Sequence, residues 1–216
     1  MNFANVASIT IPEGEVAAIV LGGRTLWQSQ TQKYKREVAY LESSGTQYVD
    51  TGYIPSTDSK MELVFYPTVK QSTCYAGSRR STSSQAFTIN SGRNGQDQYG
   101  AFGNSGNVDL GSHSVGWHTV SIENGRFVYD GVETTISERS LNSTNAVYLF
   151  ACNSSGASLH SKSRISACKI WSNSVLAHDI IPVLDWSDVP CMYDKVTDAL
   201  LYNMGTGDFQ YGEQEV

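Results

Sequence analysis

Period-two alternation is the dominant pattern along this chain. At residues 117–136, His118, Val120 and Ile122 fall on one side of an extended segment, while Trp117, Thr119 and Ser121 fall on the other. Asn124-Gly125 and Asp130-Gly131 interrupt this stretch with dipeptides suited to positive φ, and so predict a three-stranded meander. Residues 60–66 place Met61, Leu63 and Phe65 on one face before Pro67 ends the run. Further strands are expected at 38–41, 47–51, 73–76, 86–89, 98–102, 146–152, 164–171, 175–183, 190–196 and 200–203, with Asn173-Ser174 at a hairpin turn. No segment carries a helical period. A meander cannot hide its apolar face alone, so the pattern predicts an all-β, antiparallel two-sheet β-sandwich.

The N-terminal stretch forms a separate pattern. Three short apolar runs, 6–11, 16–21 and 24–27, surround two turns and hold too few residues for a core. Residues 1–29 are therefore expected to be a small β appendage that docks elsewhere through Ile9, Ile11, Val16, Ile19, Leu21, Leu26 and Trp27. Residues 30–37 are polar and aperiodic and are expected to be a linker, with residues 38–216 forming the sandwich.

Charge narrows the classes of partner. Lys and Arg total 15 against 21 Asp and Glu, and the longest basic cluster is the short 33–36 segment, so nucleic acid is not an expected partner. Membrane insertion is not expected either, because no run approaches the roughly 18 apolar residues of a spanning helix. With no basic start leading into an apolar leader, synthesis in a cytosol is expected. Cys74, Cys152, Cys168 and Cys191 lack metal-like spacing and are expected to be free, buried thiols. If one disulfide forms, Cys152 with Cys168 is the expected pair.

Candidate chemistry concentrates in residues 78–114, where short strands alternate with Ser-, Gly- and Asn-rich loops. Arg93, Asn94, Asp97, Tyr99, Phe102 and Asn104 combine hydrogen-bonding groups with aromatic faces, a mixture suited to recognising sugars or protein surfaces. Catalysis finds less support. Glu62 stands alone on its strand, there is no Gly-x-Ser-x-Gly elbow, and His118 and His178 read as satisfied strand residues. No cofactor is expected; calcium on Asp179, Asp185 and Asp188 is the one alternative considered, without EF-hand spacing to support it.

Two sets of motifs carry a resemblance. Tyr40-Leu-Glu-Ser-Ser-Gly-Thr-Gln-Tyr-Val-Asp-Thr-Gly52, Lys169-Ile-Trp171, His178-Asp-Ile-Ile-Pro-Val183, Cys191-Met-Tyr-Asp-Lys-Val196 and Tyr202-Asn-Met-Gly-Thr-Gly-Asp-Phe209 resemble the concanavalin A-like, laminin G-like domains of phage and prophage proteins and of some bacterial surface proteins. Ile9-Thr-Ile-Pro-Glu-Gly-Glu-Val16 with Gly22-Gly-Arg-Thr-Leu-Trp27 is similar to a short attachment module of virion proteins. The resemblance implies a jelly-roll head on a tail, fibre or capsid-decoration protein, made in the host bacterial cytoplasm and carried on the virion. Other virion proteins at the N-terminal module, host-surface glycan at the head and a homo-oligomer, with a trimer as the candidate form, are the implied partners. The alternatives are a purely architectural subunit and a divergent glycoside hydrolase. Within the motifs, Tyr193-Asp194-Lys195, Gly205 and Gly207 are expected to hold the fold rather than a ligand.

Overall fold

A computed structural model describes residues 18–21, 24–28, 32–80, 84–92, 97–104, 107–112 and 114–214. The chain divides into two units, Met1–Lys33 and Tyr34–Val216. In the first, β1 (Ala18–Leu21) and β2 (Arg24–Gln28) form an antiparallel hairpin in which Ile19 is opposite Trp27 and Leu21 opposite Arg24. Leu26 is skipped by the register at a bulge. Ile9, Ile11 and Val16 lie outside the described residues.

The second unit begins with β3 (Arg36–Glu37), β4 (Tyr40–Ser44), β5 (Val49–Asp50), β6 (Ser59–Pro67), β7 (Thr73–Ser78), β8 (Ala86–Ser91), β9 (Asp97–Gly103) and β10 (Asn107–Ser112). It continues through β11 (His118–Glu123), β12 (Arg126–Tyr129), β13 (Val132–Thr135), β14 (Tyr148–Leu149), β15 (Cys152–Asn153) and β16 (Ala157–Ser158). The last strands are β17 (Lys162–Ser172), β18 (Val175–Leu184), β19 (Pro190–Asp194), β20 (Ala199–Leu201) and β21 (Gln210–Gly212). The larger sheet runs β13-β12-β11-β6-β17-β18-β19-β20, with β3, β4 and β21 attached beside it. The smaller runs β10-β9-β8-β7-β14-β5 and carries β15 and β16. The fold is all-β, two antiparallel sheets stacked as a sandwich, and among the described residues there is no helix.

Alternation decides which side chains meet between the sheets. Met61, Leu63 and Phe65 of β6 are fully buried, and the intervening Lys60, Glu62, Val64 and Tyr66 are half-buried on the outer face. Val120 and Ile122 of β11 and Ile165, Cys168 and Ile170 of β17 extend that layer, facing Tyr75, Phe87, Ile89, Phe102 and Leu149 of the smaller sheet. The meander forms as expected, β12 pairing with both β11 and β13. Its turns differ. Asp130 and Gly131 both take positive φ, 47° and 81°, whereas at the other turn only Gly125 does.

The expected linker is too long at its C-terminal end. Arg36 and Glu37 pair with Leu184 and Val183 of β18, and the Lys35 N–H donates to Leu184 O at 2.8 Å. An edge strand needs only backbone groups, so the polar side chains that suggested a linker are free to form ion pairs, Lys35 with Asp188 at 2.7 Å and Arg36 with Glu213. The four cysteines are free and buried. The alternative Cys152–Cys168 disulfide does not form, because Cys168 lies on β17 of the larger sheet and Cys152 on β15 of the smaller, where its neighbour is the Cys74 thiol.

Two of the motifs clamp each other across the fold. Thr46 Oγ1 donates to Thr206 O at 2.7 Å, Gln47 Nε2 to Asp208 O at 3.1 Å and the Tyr48 N–H to Asn203 Oδ1 at 3.2 Å. A Cβ on Gly205 would stand 2.0 Å from Thr46 O, and Gly207 has φ +71°, so both glycines are required by the backbone.

Between the sheets, Gly100 of β9 packs directly under the Phe127 ring, whose nearest carbons would lie 2.3 Å from an added Cβ. Gly100→Ala is therefore expected to destabilise the protein by about 1–3 kcal/mol through overpacking. A lowered urea midpoint with an unchanged slope is the expected result; an unaltered midpoint would mean that the ring moves aside freely.

Candidate functional site

The outer face of the larger sheet carries an open groove of about 690 Å³. Its floor comes from register. Lys60 of β6 lies opposite Trp171 of β17, and the ammonium sits 4.6 Å from the indole centroid. Turns build the walls: Asn173 and Ser174, at φ 49° and 63°, close the β17–β18 hairpin, and Asn124 closes the β11–β12 hairpin. The Asn173 N–H donates to Asp58 O at 3.2 Å, fastening one wall to the chain that leads into β6.

Hydrogen bonding leaves polar groups available here. Asn124 Oδ1 accepts from the Arg139 N–H at 2.7 Å, which fixes the amide plane and leaves its NH2 donors unused among the described residues. Glu123 is held by Arg126 at 2.9 Å, while the carboxylates of Asp58 and Glu138 have no ion pair among the described residues. An indole, an ammonium, an amide and two open carboxylates around a shallow concavity can hold the hydroxyls and ring face of a sugar.

Another cluster has the outline of a nucleophilic triad. His118 Nδ1 lies 2.7 Å from Asp130 Oδ2, and its Nε2 lies 3.0 Å from Ser114 Oγ. The same Nε2 also faces Ser114 O at 3.2 Å, so this ring nitrogen stands between the hydroxyl and the carbonyl of one residue. The arrangement is repeated without a serine. His178 Nδ1 lies 2.7 Å from Asp194 Oδ2, and in both copies the second carboxylate oxygen accepts the N–H of the residue after the histidine, Thr119 at 2.8 Å and Asp179 at 2.9 Å. Both are clasps that lock neighbouring strands of the sheet.

The residues singled out from the sequence are not gathered at the groove. Arg93 and Asn94 lie outside the described residues, and Asp97 and Tyr99 fall on β9 in the smaller sheet. Phe102 corrects the expectation: it is fully buried with its ring edge-on to Phe87, 5.7 Å between centroids, so no stacking face remains. An inward position in a strand outweighed the loop-like composition around it. Asn104 is exposed but is a structural tie, its Oδ1 accepting from the Gln85 N–H and its carbonyl from Arg139. Asp179, Asp185 and Asp188 are likewise separate. Asp185 caps a turn through the Ser187 and Val189 N–H groups, and Asp188 pairs with Lys35. Among the described residues no three His, Cys, Asp or Glu side chains are grouped to hold a metal ion. Sequence reading missed Lys60 and Trp171 because their partnership spans more than a hundred residues; the one available signal was Trp171 within the Lys169-Ile-Trp171 motif.

No protein-family model and no curated protein matches this sequence. Among solved structures, the chain is similar to a candidate carbohydrate-binding protein from Bacteroides ovatus ATCC 8483, with a TM-score of 0.56 and 11% identity. The likeness covers 84% of this chain and 61% of that one, so the chain spans about three fifths of its neighbour's length. At this identity the likeness establishes the shared sandwich fold.

The Asp194 clasp yields a pH prediction. Its side chain is 1% exposed. Burial alone would raise its pKa, but hydrogen bonds from Thr197 Oγ1, the Asp179 and Val196 N–H groups and His178 outweigh burial and hold the carboxyl below its usual value. A carboxyl depressed on folding contributes stability above its unfolded pKa and loses it as pH falls through the folded value. Asp194→Asn is expected to cost about 1–3 kcal/mol at neutral pH and to flatten the acid limb of stability against pH. Urea melts that gave parallel acid limbs for the two proteins would show that Asp194 is not a source of the acid sensitivity.

Proposed function

We propose that the protein is a non-catalytic glycan-binding protein whose sandwich holds sugar in the Trp171 groove. The carrying observation is the groove itself, where a half-buried indole and an ammonium share one floor with amide donors and carboxylates that the fold leaves unused. The likeness to a candidate carbohydrate-binding protein supports the same class of ligand. An open groove of this kind gives modest affinity for one sugar, and display in several copies raises it through effective concentration.

The setting in this reading is a virion. Support comes from the motif resemblance of residues 38–212 and from the attachment-like pattern of residues 1–29. The N-terminal unit joins other virion proteins and a homo-oligomeric head presents the sandwich to a host-surface glycan.

Glycan-array binding of wild type, Trp171→Ala and Tyr99→Ala separates the groove from the loops of the smaller sheet. Trp171→Ala should lower affinity at least tenfold, about 1.4 kcal/mol, with Tyr99→Ala near wild type. The opposite ranking would move the site to residues 78–114. Release of shorter sugars from any bound glycan would remove the non-catalytic reading, and an absence of binding by wild type would leave an architectural subunit.

A further inference from the structure

Beyond the groove, the same outer face carries a second aromatic station. Trp117, 46% exposed, packs against Tyr40 with centroids 5.9 Å apart and edge-on against Tyr66 at 5.5 Å. Arg164 lies over both tyrosine rings, 4.6 Å from the centroid of Tyr40 and 5.1 Å from that of Tyr66, and its Nε donates to Glu42 at 2.7 Å. Gly212 on the neighbouring strand makes room for Tyr40, since a Cβ there would stand 2.2 Å from the ring. The rings are therefore fixed in place before any ligand arrives.

Register sets the distance between the stations. Arg164 is opposite Tyr66 and Trp171 opposite Lys60, so the stations stand at the two ends of one β6–β17 ladder. The six residue-to-residue steps of extended strand from Lys60 to Tyr66 span roughly 20 Å at about 3.3 Å per residue. Between them, the outward positions Glu62 with Lys169 and Ser121, then Val64 with Ala167 and Thr119, form a shorter floor with hydrogen-bonding groups. Charge along the strip is balanced. Lys60 pairs with Glu62 and Arg164 with Glu42, both at 2.7 Å, and Lys169 lies opposite Asp179. A polyanion gains nothing from such a surface, whereas a neutral chain of pyranose rings meets stacking faces at both ends and polar partners in the middle.

We infer that the protein binds an extended, uncharged polysaccharide lying along β6 and β17, with one sugar in the Trp171 groove and another, several units along the chain, on the Trp117 station. This deepens the proposed glycan-binding reading and rests on it. The footprint is longer than a disaccharide can bridge, so binding strength depends on chain length and an internal stretch of a polymer can be recognised.

The test uses the full chain on an array of linear glucose, xylose, mannose and N-acetylglucosamine oligomers, mono- to octasaccharide, with titration calorimetry on the best series. Wild type should bind the octasaccharide at least tenfold more tightly than the disaccharide. Trp117→Ala should lose that gain and keep its disaccharide affinity, whereas Trp171→Ala should weaken both. Trp117 is half exposed, so an unchanged urea midpoint is expected of its variant; Tyr66→Phe, which keeps the ring, should retain the length dependence. Equal affinity for di- and octasaccharide, or full octasaccharide binding by Trp117→Ala, overturns the extended footprint and leaves the groove standing. A change in oligomer mass on Trp117→Ala, with sugar binding intact, overturns it too and makes this face a contact between copies. Binding of no oligomer by wild type removes the glycan reading together with this one.

Discussion

A single bulge in β17 determines which chemistry the larger sheet shows to the outside. Arg164 and Trp171 are seven residues apart, an odd spacing that would put them on opposite faces of a regular strand. The register against β6 runs Ile165–Phe65 and then Ala167–Val64, leaving Ser166 unpaired. That one extra residue reverses the parity, so Arg164, Lys169 and Trp171 share the outer face while Ile165, Cys168 and Ile170 share the core. Without the bulge, a guanidinium or an indole would have to enter a layer already filled by Met61, Leu63 and Phe65. Removing apolar contacts from that layer, or burying an unpaired cation in it, costs far more than an unpaired backbone residue at a bulge.

Strand parity also explains what the sequence disclosed. Strands without bulges were legible: β6 and β11 alternate strictly, and their buried residues are those the period selects. Asp130-Gly131 was legible too, because few dipeptides accept two successive positive φ values. Where the period is broken by a bulge, as in β17 and again at Ala177 in β18, hydrophobicity alone assigns faces wrongly beyond the break. Edge pairing was hidden for a different reason: β3 is held by backbone hydrogen bonds to β18, which leave no trace in side-chain pattern. The groove required both the bulge and a long-range register, whereas the loops of residues 78–114 advertised themselves by composition. Composition could not tell an inward Phe102 from an outward one.

Buried polar clasps add specificity to a core that is otherwise uniform. His118–Asp130 and His178–Asp194 each join a strand to the end of its neighbour, with one carboxylate oxygen on the ring and the other on the following backbone N–H. A one-residue slip between β18 and β19 would leave the buried Asp194 carboxylate with its partners displaced, at a cost of several kcal/mol, and one between β11 and β12 would take the exposed Asp130 carboxylate away from the buried His118 ring. Apolar contacts tolerate slips much better, since one branched side chain substitutes for another. The clasps thus fix the β11–β12 and β18–β19 registers, which contain no bulge.

Stability and recognition are consequently separated by strand face. Inward residues such as Phe65 and Phe102 are fully buried and carry the large apolar burial terms, of order 1.5–3 kcal/mol each. Outward residues such as Trp117 and Tyr66 keep part of their surface in water, Trp117 edge-on against Tyr66 and Tyr66 under Arg164, whose own charge is neutralised by Glu42. Changing an outward aromatic removes a stacking face while the inward layer stays intact. Under the proposed glycan-binding role, such an arrangement would let the outer face be respecified for a different chain of sugars, one station at a time, without reopening the packing on which the sandwich depends.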